Sequence, residues 1–148
     1  MSKDVYSVDP SAMPWIPVID GVAAKPLRFA GGGSGWASIV RIDPGCRVPK
    51  HRHSGEVQGV VLSGRCRYTD GSPWLEPGTY LHEADGAEDE VLACPDAGAE
   101  ILFMVAGPRV EYLDAHGGVI HVDDQRSKEA AYAAFCAERG LVPRDLKH

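Results

Sequence analysis

Gly45-Cys-Arg-Val-Pro-Lys-His51-Arg-His53-Ser-Gly-Glu56-Val57-Gln58-Gly-Val-Val-Leu-Ser-Gly64 is the stretch on which the reading of this chain turns. Successive side chains of a strand alternate between its two faces, so His51 and His53, at i and i+2, project to the same side. Both imidazoles can then reach one ion from a rigid support, and imidazole is the commonest metal ligand among side chains. A bare H-x-H pair also occurs as surface or core polar residues. Its surroundings decide between the two.

Outward from that stretch, short β-type runs alternate with turn residues. The runs are Leu27-Phe29, Trp36-Ile42, Val57-Leu62, Arg65-Thr69, Thr79-Glu83, Glu90-Ala93, Ile101-Val105, Val110-Leu113 and Val119-Val122. Between them stand Gly31-Gly-Gly-Ser-Gly35, Asp43-Pro-Gly45, Ser63-Gly64, Asp70-Gly-Ser-Pro73, Pro77-Gly78, Cys94-Pro-Asp-Ala-Gly98 and Gly117-Gly118. Glycine supplies positive φ and proline pre-sets turn geometry. Many short strands at this spacing are the sequence form of an antiparallel barrel or sandwich. The glycine tract at 31–35 is read as a hairpin turn. It lacks the Lys-Ser/Thr of a phosphate-binding loop and precedes a strand instead of a helix.

The first 24 residues, with Pro10, Pro14 and Pro17 around Trp15 and Ile16, read as an extended arm that Trp15 pins to the body. Residues 25–122 form the β-barrel of six to eight strands, and 123–148 a helix and tail of the same domain. The helix is expected over Ser127–Arg139, with Tyr132, Phe135, Cys136 and Arg139 on one face and Gly140 as its stop.

At 148 residues the chain suffices for one domain. Apolar residues make up 44% and charged residues 24%, close to the average of globular proteins. A net charge of −6 without any Lys/Arg run argues against a nucleic-acid partner. No apolar run approaches the roughly 20 residues that cross a bilayer, and Met1-Ser-Lys-Asp4 lacks the apolar core of a leader. A cytoplasmic protein is expected, with Cys46, Cys66, Cys94 and Cys136, none in a C-x-x-C pair, present as thiols.

Gly45, then His51 and His53 after five intervening residues, then Gly64, match the spacing of the first cupin motif. Gly78 and Gly86 stand where the second motif places its glycines. The chain therefore resembles the cupin superfamily, over about residues 25–122. It is most similar to the group containing 2,4'-dihydroxyacetophenone dioxygenase, acetylacetone-cleaving dioxygenase and the cupin domain of ChrR-type anti-sigma factors. Lys25-Pro-Leu-Arg-Phe29, the block from His51 to Gly64, Arg67-Tyr68, Pro77-Gly-Thr-Tyr-Leu-His-Glu83 and Val110-Glu-Tyr-Leu-Asp114 carry that likeness. It implies an all-β jelly-roll barrel of the RmlC-like type with an N-terminal arm and a C-terminal helix.

The resemblance also implies a divalent metal, Fe(II) for a dioxygenase, with Zn, Mn or Ni as other occupants. Its substrate would be a small carbonyl compound. Two positions depart from the motif. The usual glutamate falls at Val57, with Gln58 where relatives often carry a histidine, and the usual last histidine falls at Asp89. In one reading Asp89 joins His51 and His53 in a two-histidine, one-carboxylate set, suited to non-haem Fe(II). In the other it belongs to the acidic surface run Glu88-Asp89-Glu90. Glu83 matches an acidic pocket residue of the diketone-cleaving relatives, and Gln58 can hold a water or a substrate carbonyl; these two are the catalytic candidates. Arg67, Tyr80 and His82 are the candidate pocket groups, and Glu56 can act only if the turn after His53 is bulged. A non-oxidative binding or isomerase/lyase cupin with a degenerate site is the competing reading. A homodimer is expected, because barrel edges and an arm invite pairing between subunits.

Overall fold

Among the described residues the turn residues separate eleven strands and one α-helix, preceded by a short 3-10 turn at Pro10–Ala12. A computed structural model describes residues 5–148; the segment Met1–Asp4, read above for its lack of a leader, lies outside them. The strands are β1 (Ile16–Ile19), β2 (Val22–Phe29), β3 (Gly35–Ile42), β4 (Arg47–Ser54), β5 (Val57–Gly64), β6 (Cys66–Tyr68), β7 (Tyr80–Glu83), β8 (Glu88–Ala93), β9 (Ala99–Ala106), β10 (Arg109–Leu113) and β11 (Val119–Asp124), followed by α1 (Gln125–Glu138). One sheet has the order β1-β2-β3-β9-β5-β7 and the other β11-β10-β4-β8-β6, with every pairing between them antiparallel. The two sheets face each other as a jelly roll, which keeps the open edges few.

Two strands exceed the expectation of nine runs. β1 pairs with β2 and takes up the end of the arm, so the first sheet begins at Ile16 and not at residue 25. Trp15 lies under two cations, Lys25 Nζ at 4.7 Å and the Arg41 guanidinium at 4.4 Å from its ring. The second addition is β4, the strand of the histidine pair. Its sequence, Arg-Val-Pro-Lys-His-Arg-His-Ser, has few of the β-branched and aromatic residues that mark a strand.

Between the sheets, Ile42, Val61, Cys66, Leu81, Val91, Ala93 and Ile101 form one buried cluster. Met13, Phe29, Trp36, Val110, Tyr132, Cys136 and Leu146 form a second, under the helix. The space between these clusters is where a ligand can sit. Gly64 shows why the motif needs glycine: its φ is +66° and a Cβ there would lie 2.1 Å from the Gly98 carbonyl oxygen.

The helix starts two residues before the expected Ser127, because Asp124 caps it. The Asp124 carboxylate accepts from the Ser127 N–H at 2.7 Å, and the Ser127 hydroxyl accepts from the Asp124 N–H at 3.0 Å. Tyr132 and Cys136 are buried against the body, whereas Arg139 is exposed and stacks over Phe135 at 3.8 Å. Arg139 therefore does not belong to the buried face. The four cysteines are free thiols. No helix among the described residues is long and apolar enough to cross a membrane.

Candidate metal centre

A bulge in β4 sets the site. Val48 pairs with Val91 of β8 and His51 with Asp89, so β4 spends one residue more than its partner between those pairs. Val48 and His51, an odd number of positions apart, can then both face the interior, and both line its cavity. After the bulge the alternation resumes, with His51 and His53 buried and Arg52 outward beside Glu88 and Glu111. Residues opposite one another across two strands share a face. Asp89 therefore turns inward with His51, while its neighbour Glu90 turns outward to Arg47, 3.0 Å away. The opposite sheet supplies Glu83 from the end of β7, paired with Val57, the residue at the motif's glutamate position.

These four side chains converge. One ligand atom from each of His51, His53, Glu83 and Asp89 lies within 4.8 Å of all the others. His53 Nε2 is 2.8 Å from Glu83 Oε1 and 3.3 Å from Asp89 Oδ2. His51 Nε2 is 3.2 Å from Asp89 Oδ1, yet that buried oxygen accepts no hydrogen bond. His51 Nδ1 sits 2.7 Å from the Pro49 carbonyl oxygen, which can only accept, so Nδ1 carries the hydrogen. In the neutral ring Nε2 then presents a lone pair to a carboxylate oxygen, and two acceptors in contact are reconciled by a positive charge between them, a second ring proton or a metal ion. The donor set thus fits a divalent ion, with His51, His53, Asp89 and Glu83 able to hold it.

Electrostatics agree. Burial by itself would lower the His53 pKa, but the carboxylates of Asp89 and Glu83 outweigh it and raise the imidazole to about 9. The chain stripped of metal by a chelator thus holds a proton on His53 that the unfolded chain releases near 6.5. A group with a raised folded pKa stabilises fully below its unfolded value and loses that contribution as pH rises through the folded one. The stripped chain is therefore expected to melt at progressively lower temperature between about pH 6.5 and 9. A melting temperature that is flat or rising over that window would contradict the pairing.

Around the cluster stands a second ring of contacts. Tyr68 donates to Glu83 Oε2 at 2.5 Å, leaving Oε1 directed at His53. Burial, and then the Glu83 charge, push the Tyr68 phenol far above its ordinary pKa, so it stays a donor. Tyr112, opposite His51 on β10, packs its ring 5.6 Å from that imidazole. Burial and the neighbouring Asp123 carboxylate raise its pKa. Asp123 in turn contacts His121 at 3.0 Å and Lys128 at 3.1 Å. Burial works against its charge, but Lys128 and His121 keep its pKa low.

Two cavities adjoin one another beside the cluster. The inner chamber, about 90 Å³, is bounded by His51, His53 and Glu83 and otherwise mostly by apolar side chains such as Val57, Val91 and Phe103. The outer chamber, about 290 Å³, lies between β1 to β3 on one side and β11 with α1 on the other. Both are lined by Val18, Ala24, Trp36, Ser38 and Lys128, which mark their junction.

Four expected pocket or catalytic residues lie elsewhere. Gln58, Tyr80 and His82 are on the outer face of the first sheet, out of step with the inward Val57, Leu81 and Glu83. There the Tyr80 hydroxyl donates to Gln58 Oε1 at 2.6 Å, and His82 Nε2 pairs with Glu56 at 3.0 Å. Arg67, between the inward Cys66 and Tyr68, stacks on Trp74 at 5.0 Å. Strand alternation is the cause in each case. Tyr68 could have been found by that same rule, two positions after Cys66. Tyr112 and Lys128 carry no local signal, since only the β4–β10 pairing and the placement of α1 bring them near the site.

The sequence from residue 3 to 110 matches the family model described as a ChrR cupin-like domain. No curated protein matches the chain. Among solved structures, an RmlC-like cupin protein from Ralstonia eutropha JMP134 aligns over 99% of this chain and 97% of its own, with TM-score 0.86 and 20% identity. An acetylacetone dioxygenase from Acinetobacter johnsonii aligns over 90% and 93%, with TM-score 0.75 and 16% identity. The anti-sigma factor ChrR of Rhodobacter sphaeroides, solved in complex with SigE, aligns over 64% of this chain and 49% of its own, with TM-score 0.56 and 23% identity. Identities this low speak for the fold alone. With the family model covering most of its length, the chain belongs to the ChrR-like cupins.

Proposed function

We propose that this cupin is a divalent-metal-dependent enzyme that cleaves a C–C bond of a small β-diketone or hydroxyketone with dioxygen. The observation that carries it is the buried contact of the His51 Nε2 lone pair with a carboxylate oxygen that has no hydrogen-bond donor. The mixed nitrogen and oxygen set suits Fe(II), and also Zn, Mn or Ni. A divalent ion held there supplies a Lewis acid and a template for two oxygens of an enolised ketone. The protein's own groups do the rest. The Pro49 carbonyl fixes the His51 tautomer and Tyr68 fixes the Glu83 rotamer. Val57, Val91, Phe103 and Val105 keep the inner chamber apolar and its water content low. Glu83 serves either as a ligand or as the base that takes the proton on enolisation.

The fold shared with an acetylacetone dioxygenase supports the oxidative reading. Protein loaded with Fe(II) under nitrogen and then given oxygen and a panel of diketones should consume oxygen well above free Fe(II). No uptake above that background, together with tight retention of Zn, would favour the non-oxidative reading. One observation already points that way: a carboxylate at 89 and an apolar Val57 replace two of the motif's expected ligands. A homodimer is part of the same proposal, supported by the open edge of β11, where Ile120 and Val122 are exposed. Light scattering that returns the 15.9 kDa of a single chain would remove it.

A further inference from the structure

We propose that the outer chamber is a substrate subsite in which Ser38 and Lys128 hold an oxygen acceptor at the far end of an elongated carbonyl substrate. The inference rests on reading the His51, His53, Glu83 and Asp89 cluster as the metal site that receives the near end.

Size comes first. The inner chamber, about 90 Å³, is the smaller of the two. An elongated ligand seated at the cluster and directed past the shared lining residues would enter the outer chamber, which is about 290 Å³.

The junction is polar where an all-apolar wall would serve the core better. Ser38 lies on β3 between the inward Trp36 and Val40, is only 7% exposed, and its hydroxyl makes no hydrogen bond to any described residue. Ser38 lines both chambers, so its hydroxyl can donate to a ligand or a displaceable water held there. Lys128 is the only Lys or Arg lining either chamber among the described residues. Its ammonium has three donors, and its one described partner is Asp123. With one carboxylate contact, at 3.1 Å, and three N–H groups, the ammonium keeps donors for a ligand in the cavity. Opposite stand Val18, Ala24, Phe29 and Trp36, an apolar and partly aromatic wall. An apolar body with a terminal oxygen acceptor is the ligand that satisfies both walls.

The test uses benzoylacetone derivatives carrying para-acetyl, para-carboxylate or para-isopropyl, three groups of similar size of which the last has no acceptor. Each is titrated calorimetrically into the full chain, Zn-loaded and metal-free. The acceptor-bearing probes should bind about tenfold tighter than the isopropyl probe or better, the usual range for a hydrogen bond to a charged donor. Lys128→Met should erase most of that preference and Ser38→Ala part of it, with Zn content unchanged in both. If losing the Lys128–Asp123 pair unfolds the first variant, Ser38→Ala alone carries the test. A preference for carboxylate over acetyl that fades with salt identifies an anionic end, and equal binding identifies a neutral carbonyl. Equal affinity for the isopropyl probe, a preference that survives both substitutions, or no binding of any probe overturns the subsite. Zn-dependent binding without the preference removes the subsite and leaves the metal site standing; a preference that does not need Zn does the reverse.

Discussion

Replacing both His51 and His53 by alanine is expected to abolish stoichiometric binding of divalent metal, read as metal per chain by elemental analysis after dialysis. The two imidazoles are the only nitrogen donors of the cluster. Without them Glu83 and Asp89 remain as two nearly buried carboxylates, 5% and 11% exposed, with only the Tyr68 hydroxyl donating to Glu83. Hard oxygen ligands alone do not favour Fe(II) or Zn, and the like charges repel. Metal at one equivalent in the double variant would sink the site. Asp89→Asn refines the result, because it keeps the shape and removes the charge. A metal affinity lowered by at least about tenfold is expected if the carboxylate is a ligand, since lesser outer-shell changes already cost that much. An unchanged affinity would show that Asp89, though turned inward, is not a ligand.

The largest effect on folding is expected from Gly107→Ala. Gly107 has φ +109°, and a Cβ there would lie 1.9 Å from the Ser54 carbonyl oxygen. Across from it Gly55, at φ +102°, would place a Cβ 2.0 Å from the Ala106 carbonyl oxygen. The two turns, one between β4 and β5 and the other between β9 and β10, thus pass each other at backbone distance, and neither has a side chain to move aside. Left-handed strain alone costs about 1–3 kcal/mol, and the collision adds to it. A loss of about 3 kcal/mol or more is expected in urea unfolding, enough to take a marginal domain near its threshold. Ser54 follows His53 directly, so a variant that still folds should also bind metal more weakly. A loss below about 1 kcal/mol would show that the two turns can separate.

The site was only partly legible before the strands were paired. His51 and His53 share a face by the period of a strand, and that needs no partner strand. Asp89 was undecidable along the chain, because Glu88-Asp89-Glu90 offers three carboxylates and no hydrophobic alternation to say which turns inward. The bulge after Val48 settled it by shifting the register of β4 against β8. Gln58 fell outside for a related reason. Counted from the motif it neighbours a ligand position, but the inward residue is Val57, and a shift of one residue along a strand reverses the face.

What the sequence by itself determined is an antiparallel barrel or sandwich of short strands, which the cupin resemblance narrowed to a jelly roll, the single C-terminal helix and the direction of the histidine pair. All three rest on short-range rules: turn residues at fixed spacing, alternation by two, and an alanine-rich run ending at glycine. Only the tertiary structure decided the rest. Asp89 and Glu83 reach the histidines from β8 and β7, Tyr68 and Tyr112 from β6 and β10, and Lys128 from the helix across the open mouth. These residues meet through strand register and helix docking, which depend on long-range packing and leave no pattern in neighbouring residues.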